Sequence, residues 1–220
     1  MSRISGNLVV DGALSVTGSF TPPDNSVSTA KIVDSAVTRA KIAQDDLAAY
    51  GIPLTEVKTW DDMATNLPGA AASDDLALIT GTLGTTAPTI QTGDLKDAGA
   101  TTRYGAFLVA LPAEYQAGES VQIRVRAGMD TTVASAAATV DIQAYKIDGD
   151  GGVSADLCST AAQSINSLTE ANKDFAIDAT NLAAGDVLHV RIAVAVNDSG
   201  TGTAVIGKIC ALALLCDIRG

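Results

Sequence analysis

Tandem repeats occupy the first 44 residues and limit what this chain can become more than any other feature. Gly6, Gly12 and Gly18 recur every six residues, with Leu8, Leu14 and Phe20 two places after each glycine and Val10 and Val16 two places later. The period then lengthens to ten. Asn25 to Asp34 aligns with Ser35 to Gln44, placing Val27 on Val37, Ala30 on Ala40, Lys31 on Lys41 and Ile32 on Ile42. A unit this short has no interior of its own and covers its apolar side only against further copies. Too few copies lie along the chain to do this, so the pattern points to neighbouring chains.

The 220 residues suffice for one ordinary domain with an appendage. The apolar content of 47% comes mostly from Ala, Val, Ile and Leu, and with 20 glycines it favours strands and turns over helices. A net charge of −11 disfavours nucleic acid as a partner, because phosphate contacts need a basic surface. No run approaches the roughly 18 apolar residues that span a bilayer, so no membrane partner is expected. Met1 to Gly12 lacks the basic start and apolar block of a secretory signal. Three cysteines, all in the last third of the chain, are expected to be buried reduced thiols, as in a protein assembled in a cytoplasm.

The organisation reads as an extended arm over residues 1–50, a linker over 51–73 that packs on the head, and an all-β head over 74–220. Residues 25–50 fit neither simple period, and a short helix over Val37 to Tyr50 is one reading. Candidate strands of the head are Leu76–Thr82, Tyr104–Leu111, Ser120–Ala127, Ala138–Ile147, Ala155–Cys158, Asp174–Asp178, Asp186–Asn197 and Thr203–Ile218. Val121, Ile123 and Val125 alternate with Gln122, Arg124 and Arg126, and Leu188 to Val196 alternate with His189, Arg191, Ala193 and Ala195. Glycine- and aspartate-rich turns separate these runs. About eight strands of this kind predict an antiparallel two-sheet β-sandwich of jelly-roll type. In the last strand Cys210, Leu212, Leu214 and Cys216 read as one apolar face and Ile209, Ala211, Ala213 and Leu215 as a second. A sandwich buries one face of a strand, so the second set is a candidate subunit interface, with residues 54–73 as the competing cover.

Chemistry-bearing motifs are sparse. His189, the single histidine, sits mid-strand, and no nucleophile-elbow or zinc-helix motif occurs. Asp148, Asp150 and Asp156 surround a glycine-rich loop that resembles a calcium loop. Ser159 stands where an EF-hand would need a bidentate glutamate, which makes a plain turn the stronger reading. The pairs Asp45-Asp46, Asp61-Asp62 and Asp74-Asp75 read as solvated surface. One tryptophan, four tyrosines and three phenylalanines leave little for an aromatic sugar platform. No cofactor and no enzymatic activity are expected.

The run from Asn25 to Asp34, repeated from Ser35 to Gln44, resembles repeats of bacteriophage fibre proteins, and the stretch from Gly6 to Gly18 is similar to their short β-repeat shafts. Lys173 to Asp178 and Ala184 to Ile192 resemble late strands of viral jelly rolls. The resemblance implies a homotrimer on a virion surface, made in the host bacterial cytoplasm, with an N-terminal shaft and a C-terminal head. Within that class the expectation is a capsid decoration (cement) or head-fibre protein. Its partners would be itself and the major capsid protein or another virion protein. Leu8, Val10, Leu14, Val16, Phe20, Val27, Ile32, Val37 and Ile42 would supply the capsid or shaft contacts. A short tail fibre or receptor-binding protein is the nearest alternative. A carbohydrate-binding module, with a host surface glycan as partner, is the alternative of another class.

Overall fold

A computed structural model describes residues 47–218. The proposed arm contacts from Leu8 to Ile42 lie outside the described residues, as does most of the 25–50 segment. Asp45–Gly220 forms one compact unit. Its described part is all-β and contains ten strands and one 3-10 turn, Leu54–Glu56, with no α-helix.

The strands are β1 (Ala48–Ile52), β2 (Ala77–Ile79), β3 (Thr89–Gln91), β4 (Gly99–Ala110), β5 (Val121–Met129), β6 (Ala137–Lys146), β7 (Gln163–Ser164), β8 (Ala171–Ile177), β9 (Val187–Asp198) and β10 (Gly207–Cys216). They form two antiparallel sheets. One runs β2-β3-β10-β5-β8, with β1 also paired to β10, and the other runs β4-β9-β6-β7. The expected two-sheet sandwich of jelly-roll type is therefore what the chain forms. The strands with the cleanest alternation bury the predicted faces. Leu188, Val190, Ile192, Val194 and Val196 of β9 meet Val121, Ile123 and Val125 of β5 in one core, with Phe107 and Phe175 among its largest fully buried side chains.

Four expectations are corrected in detail. Ala48 to Tyr50 are extended rather than helical, because β1 pairs along β10 from Ala48↔Cys216 to Ile52↔Leu212. β3 and β7 are additional strands, too short for any period to reveal. Ala155–Cys158 is not a strand; only a single bridge, Cys158↔Ile177, ties it to a sheet. The facing of the last strand also changes midway. The register against β5 shifts between Ile209 and Ala211, a β-bulge at Cys210. A bulge reverses which side chains point inward. Ile209 before it and Leu212, Leu214 and Cys216 after it therefore all enter the same core. Of the candidate interface set, Ile209 lies in the sandwich interior, Ala211 is exposed, Ala213 is half-buried and Leu215 is buried outside the main core cluster.

Residues 51–73 are fastened to the sandwich. Lys58 N–H donates to Ala106 O at 2.7 Å and Ala106 N–H donates back to Lys58 O at 3.0 Å, which extends the four-stranded sheet beyond β4. Val57 and Leu67 are buried. Gly105 makes this seat possible, since a Cβ there would stand 2.9 Å from Val57 Cγ1.

Candidate functional site

The four-stranded sheet turns one face to the core and the other outward. Register decides which outward side chains are neighbours. β9 is central, with His189 opposite Leu108 of β4 and Tyr145 of β6. Arg191 lies between Ala106 and Gln143, and Ala193 between Tyr104 and Asp141. The small Ala106 leaves room above itself. Lys58 pairs with Ala106, so two residues on, by strand parity, Trp60 returns to the same outward side.

Trp60 is held at three points. Its Nε1 donates to Asp74 Oδ2 at 3.1 Å. Its ring packs on Tyr104 at 5.2 Å between centroids and a 50° tilt. The Arg191 guanidinium lies 5.3 Å from the Trp60 ring centre and 4.9 Å from that of Tyr104, close enough for cation–π attraction to both. A guanidinium Nη2 of Arg191 donates to Gln143 Oε1. The turn that follows Trp60 is closed by Asp62, whose carboxylate accepts from Ala64 N–H at 3.0 Å and Thr65 Oγ1 at 2.8 Å. These bonds hold the Asp62 carboxyl below the ordinary carboxylate range.

Trp60, Ala106, Gln143, Tyr145, Val153, His189 and Arg191 line a groove of about 380 Å³. That is near the small end of ligand-sized sites. The aromatic rings supply apolar faces, and Arg191, Gln143, His189 and the Tyr145 hydroxyl supply directional hydrogen bonding. A larger groove of about 850 Å³ runs between Pro53, Leu54, Leu78 and the loop from Thr80 to Pro88. It has neither an aromatic ring nor a charged group, so it has little with which to orient a polar ligand.

Of the residues singled out in the sequence, His189 lines this groove, with Leu108 and Tyr145 as its cross-strand neighbours. Asp148 to Gly152 is a turn closed by Asp148 N–H donating to Gly152 O at 2.8 Å. Asp156 Oδ1 is already used, accepting from the backbone N–H groups of Ala144 and Cys158, each at 3.0 Å. Among the described residues no group of three or more His, Cys, Asp or Glu side chains converges as a metal site. Asp75 sits half-buried near Asp61 and Asp74, and burial followed by these two charges pushes its carboxyl up. All three cysteines are free thiols and burial raises each of them, but only Cys216 is buried as expected, while Cys158 and Cys210 are half-buried.

Few as they are, the aromatic residues are not scattered. The one tryptophan and two of the four tyrosines gather on one sheet face. Composition counts residues without locating them. The available signal was the shared strand parity of His189 with Arg191 and of Gln143 with Tyr145.

No protein-family model and no curated protein matches this chain. Solved structures to which it is similar include the CBM22-1 xylan-binding domain from Paenibacillus barcinonensis Xyn10C. That match has 13% identity and a TM-score of 0.36, and covers 78% of this chain and 99% of that one. The xylan-binding module CBM15 matches at 14% identity and a TM-score of 0.42, over 79% of this chain and 99% of that one. The C-terminal family 22 carbohydrate binding module of Clostridium thermocellum Xyn10B matches at 10% identity and a TM-score of 0.37, over 78% and 96%. At these scores the likeness carries no functional argument, and the sandwich assignment rests on the strand pairing itself.

Proposed function

We propose that this domain is a non-catalytic glycan-binding module whose site is the outer face of the four-stranded sheet. One observation carries the reading: Trp60 and Tyr145 line a single groove with Arg191, Gln143 and His189, and Tyr104 packs against Trp60 and Arg191. Sugar rings present an apolar C–H face and a rim of hydroxyls. A site for them needs both stacking area and fixed donors and acceptors. Strands and paired backbone hold these groups, which limits the ordering cost of binding. The test is a panel of neutral and acidic polysaccharides with wild type, Trp60→Ala and Tyr145→Ala. Removing a central aromatic from a binding site costs about 2 kcal/mol or more, some thirtyfold in Kd. Binding by wild type that drops by at least tenfold in both variants supports the proposal. No binding to any member, or unchanged binding in both variants, overturns it.

A second reading concerns deployment and rests on the tandem repeats from Gly6 to Gln44. In it the arm assembles with copies of itself and presents several heads on a phage virion, as a short tail fibre or as a capsid-bound head fibre. Multiple copies would suit weak single sites, because linked binding events gain 10²–10⁴ in avidity. Light scattering on the full chain tests this. A trimer mass supports it, and a stable monomer overturns it.

A further inference from the structure

Resting on the glycan-binding reading, we infer that the groove selects acidic sugars, with Arg191 receiving the carboxylate or sulfate. Among the described residues its charge has no ion-pair partner. The ion pairs among the described residues are Arg124–Asp174, Lys146–Asp186, Lys208–Asp130 and Lys208–Glu170, and Arg191 belongs to none of them. Among the described residues its hydrogen-bond acceptor is the neutral Gln143. The remaining N–H donors of its fork have no protein acceptor among the described residues.

The arrangement is unusual for a chain of net charge −11. No carboxylate lines the groove, whereas Arg191 and His189 both do. Acids close to the groove face other groups: Asp74 accepts from Trp60 Nε1, with Asp61 and Asp75 beside it, and Asp141 faces Ala193, one pair further along the sheet. The Trp60 and Tyr104 rings hold the guanidinium plane and shield it from water on those sides. Held this way, it meets a planar carboxylate or a sulfate edge with two parallel bonds and little loss of side-chain freedom. Exposed acids beyond a Debye length, about 8 Å at physiological salt, are largely screened at the guanidinium. The long-range field would slow the arrival of an anion without reversing its preference.

The experiment uses the full chain and matched pairs: polygalacturonate against its carboxyl-reduced form, and dextran sulfate against dextran. Wild type is expected to bind the acidic member of at least one pair at least tenfold more tightly. Which pair responds identifies carboxylate or sulfate as the recognised group. Arg191→Gln should remove that preference, with a 10- to 100-fold loss, the range for a charge-assisted hydrogen bond. Arg191→Lys, which keeps the charge but not the fork, should retain part of it. Trp60 is the only tryptophan, so its emission reports whether the ring stack survives each change. Equal or tighter binding of the neutral members, or an acidic preference that persists in Arg191→Gln, overturns this inference and leaves the glycan reading standing. Absence of binding across these pairs and the wider panel overturns both.

Discussion

Substituting Gly105 by alanine tests how the Trp60 segment is seated. Gly105 faces inward on β4, and an added methyl would lie 2.9 Å from Val57 Cγ1 and 3.5 Å from Leu76 Cδ1. The first distance is shorter than two carbons tolerate. The backbone there is ordinary for an L-residue, so the cost is steric. Overpacking a tight core costs about 1–3 kcal/mol. Alanine returns about 0.4–1 kcal/mol by restricting the unfolded chain, which leaves a net loss of about 1–2 kcal/mol. Val57→Ala alone should cost about 2 kcal/mol, from lost burial and a small cavity. If the two side chains meet as described, the double variant relieves the clash and fills the cavity. Its loss should then fall short of the sum of the singles by about 1 kcal/mol or more. Urea unfolding at constant m value measures all three. Val57 is three residues before Trp60, so Gly105→Ala should also weaken glycan binding, and the double variant should restore part of it. Additivity within about 0.5 kcal/mol would refute the proposed packing of residues 57–60 on β4.

Two further outcomes follow from titrating groups. Asp198 is wholly buried, and its carboxylate accepts from Thr201 Oγ1 at 2.6 Å, Ser135 N–H at 2.7 Å and Asp97 N–H at 3.0 Å. With the Thr201 bond foremost, these hold the carboxyl far below its usual range. A depressed carboxylate stabilises the fold above its unfolded value of about 3.9, and that contribution is lost as pH falls toward the folded value. The Tm gap between wild type and Asp198→Asn should therefore shrink from pH 5 to pH 2, and a gap that stays constant would contradict the assignment. Burial pushes the Cys216 thiol up, and the thiolate is the reactive form. A disulfide reagent at pH 7.5 should therefore label Cys216 only after denaturant is added, and rapid labelling of the native protein at that position would exclude its place in the core.

The strands that could be read from the sequence are those with long, unbroken alternation. Val121 to Val125 and Leu188 to Val196 each declare an inner and an outer face, and the structure buries the expected ones. β3 and β7, at three and two residues, carry no period at all. β10 is a different case. Its composition announced a strand with two apolar faces, yet the bulge at Cys210 brings Ile209 and Leu212 to the same side. A bulge depends on what the partner strand allows, so no count along one strand reveals it. The site divides in the same way. The outward positions of His189 and Arg191 were legible from parity, whereas Trp60 sat in a stretch that read as linker.

Alternation and small β-branched residues, acting locally, determined that this chain makes antiparallel sheets and which side of each long strand turns inward. The repeats from Gly6 to Gln44 are likewise a property of the sequence alone. Only the tertiary structure decided that Ala106 lies beside Arg191, that Lys58 bridges to Ala106, and that Trp60 therefore closes over the guanidinium. Periodicity describes neighbours along one strand, while a binding groove is made by neighbours across strands. Cross-strand neighbours follow from register and edge pairing, which the whole fold settles at once.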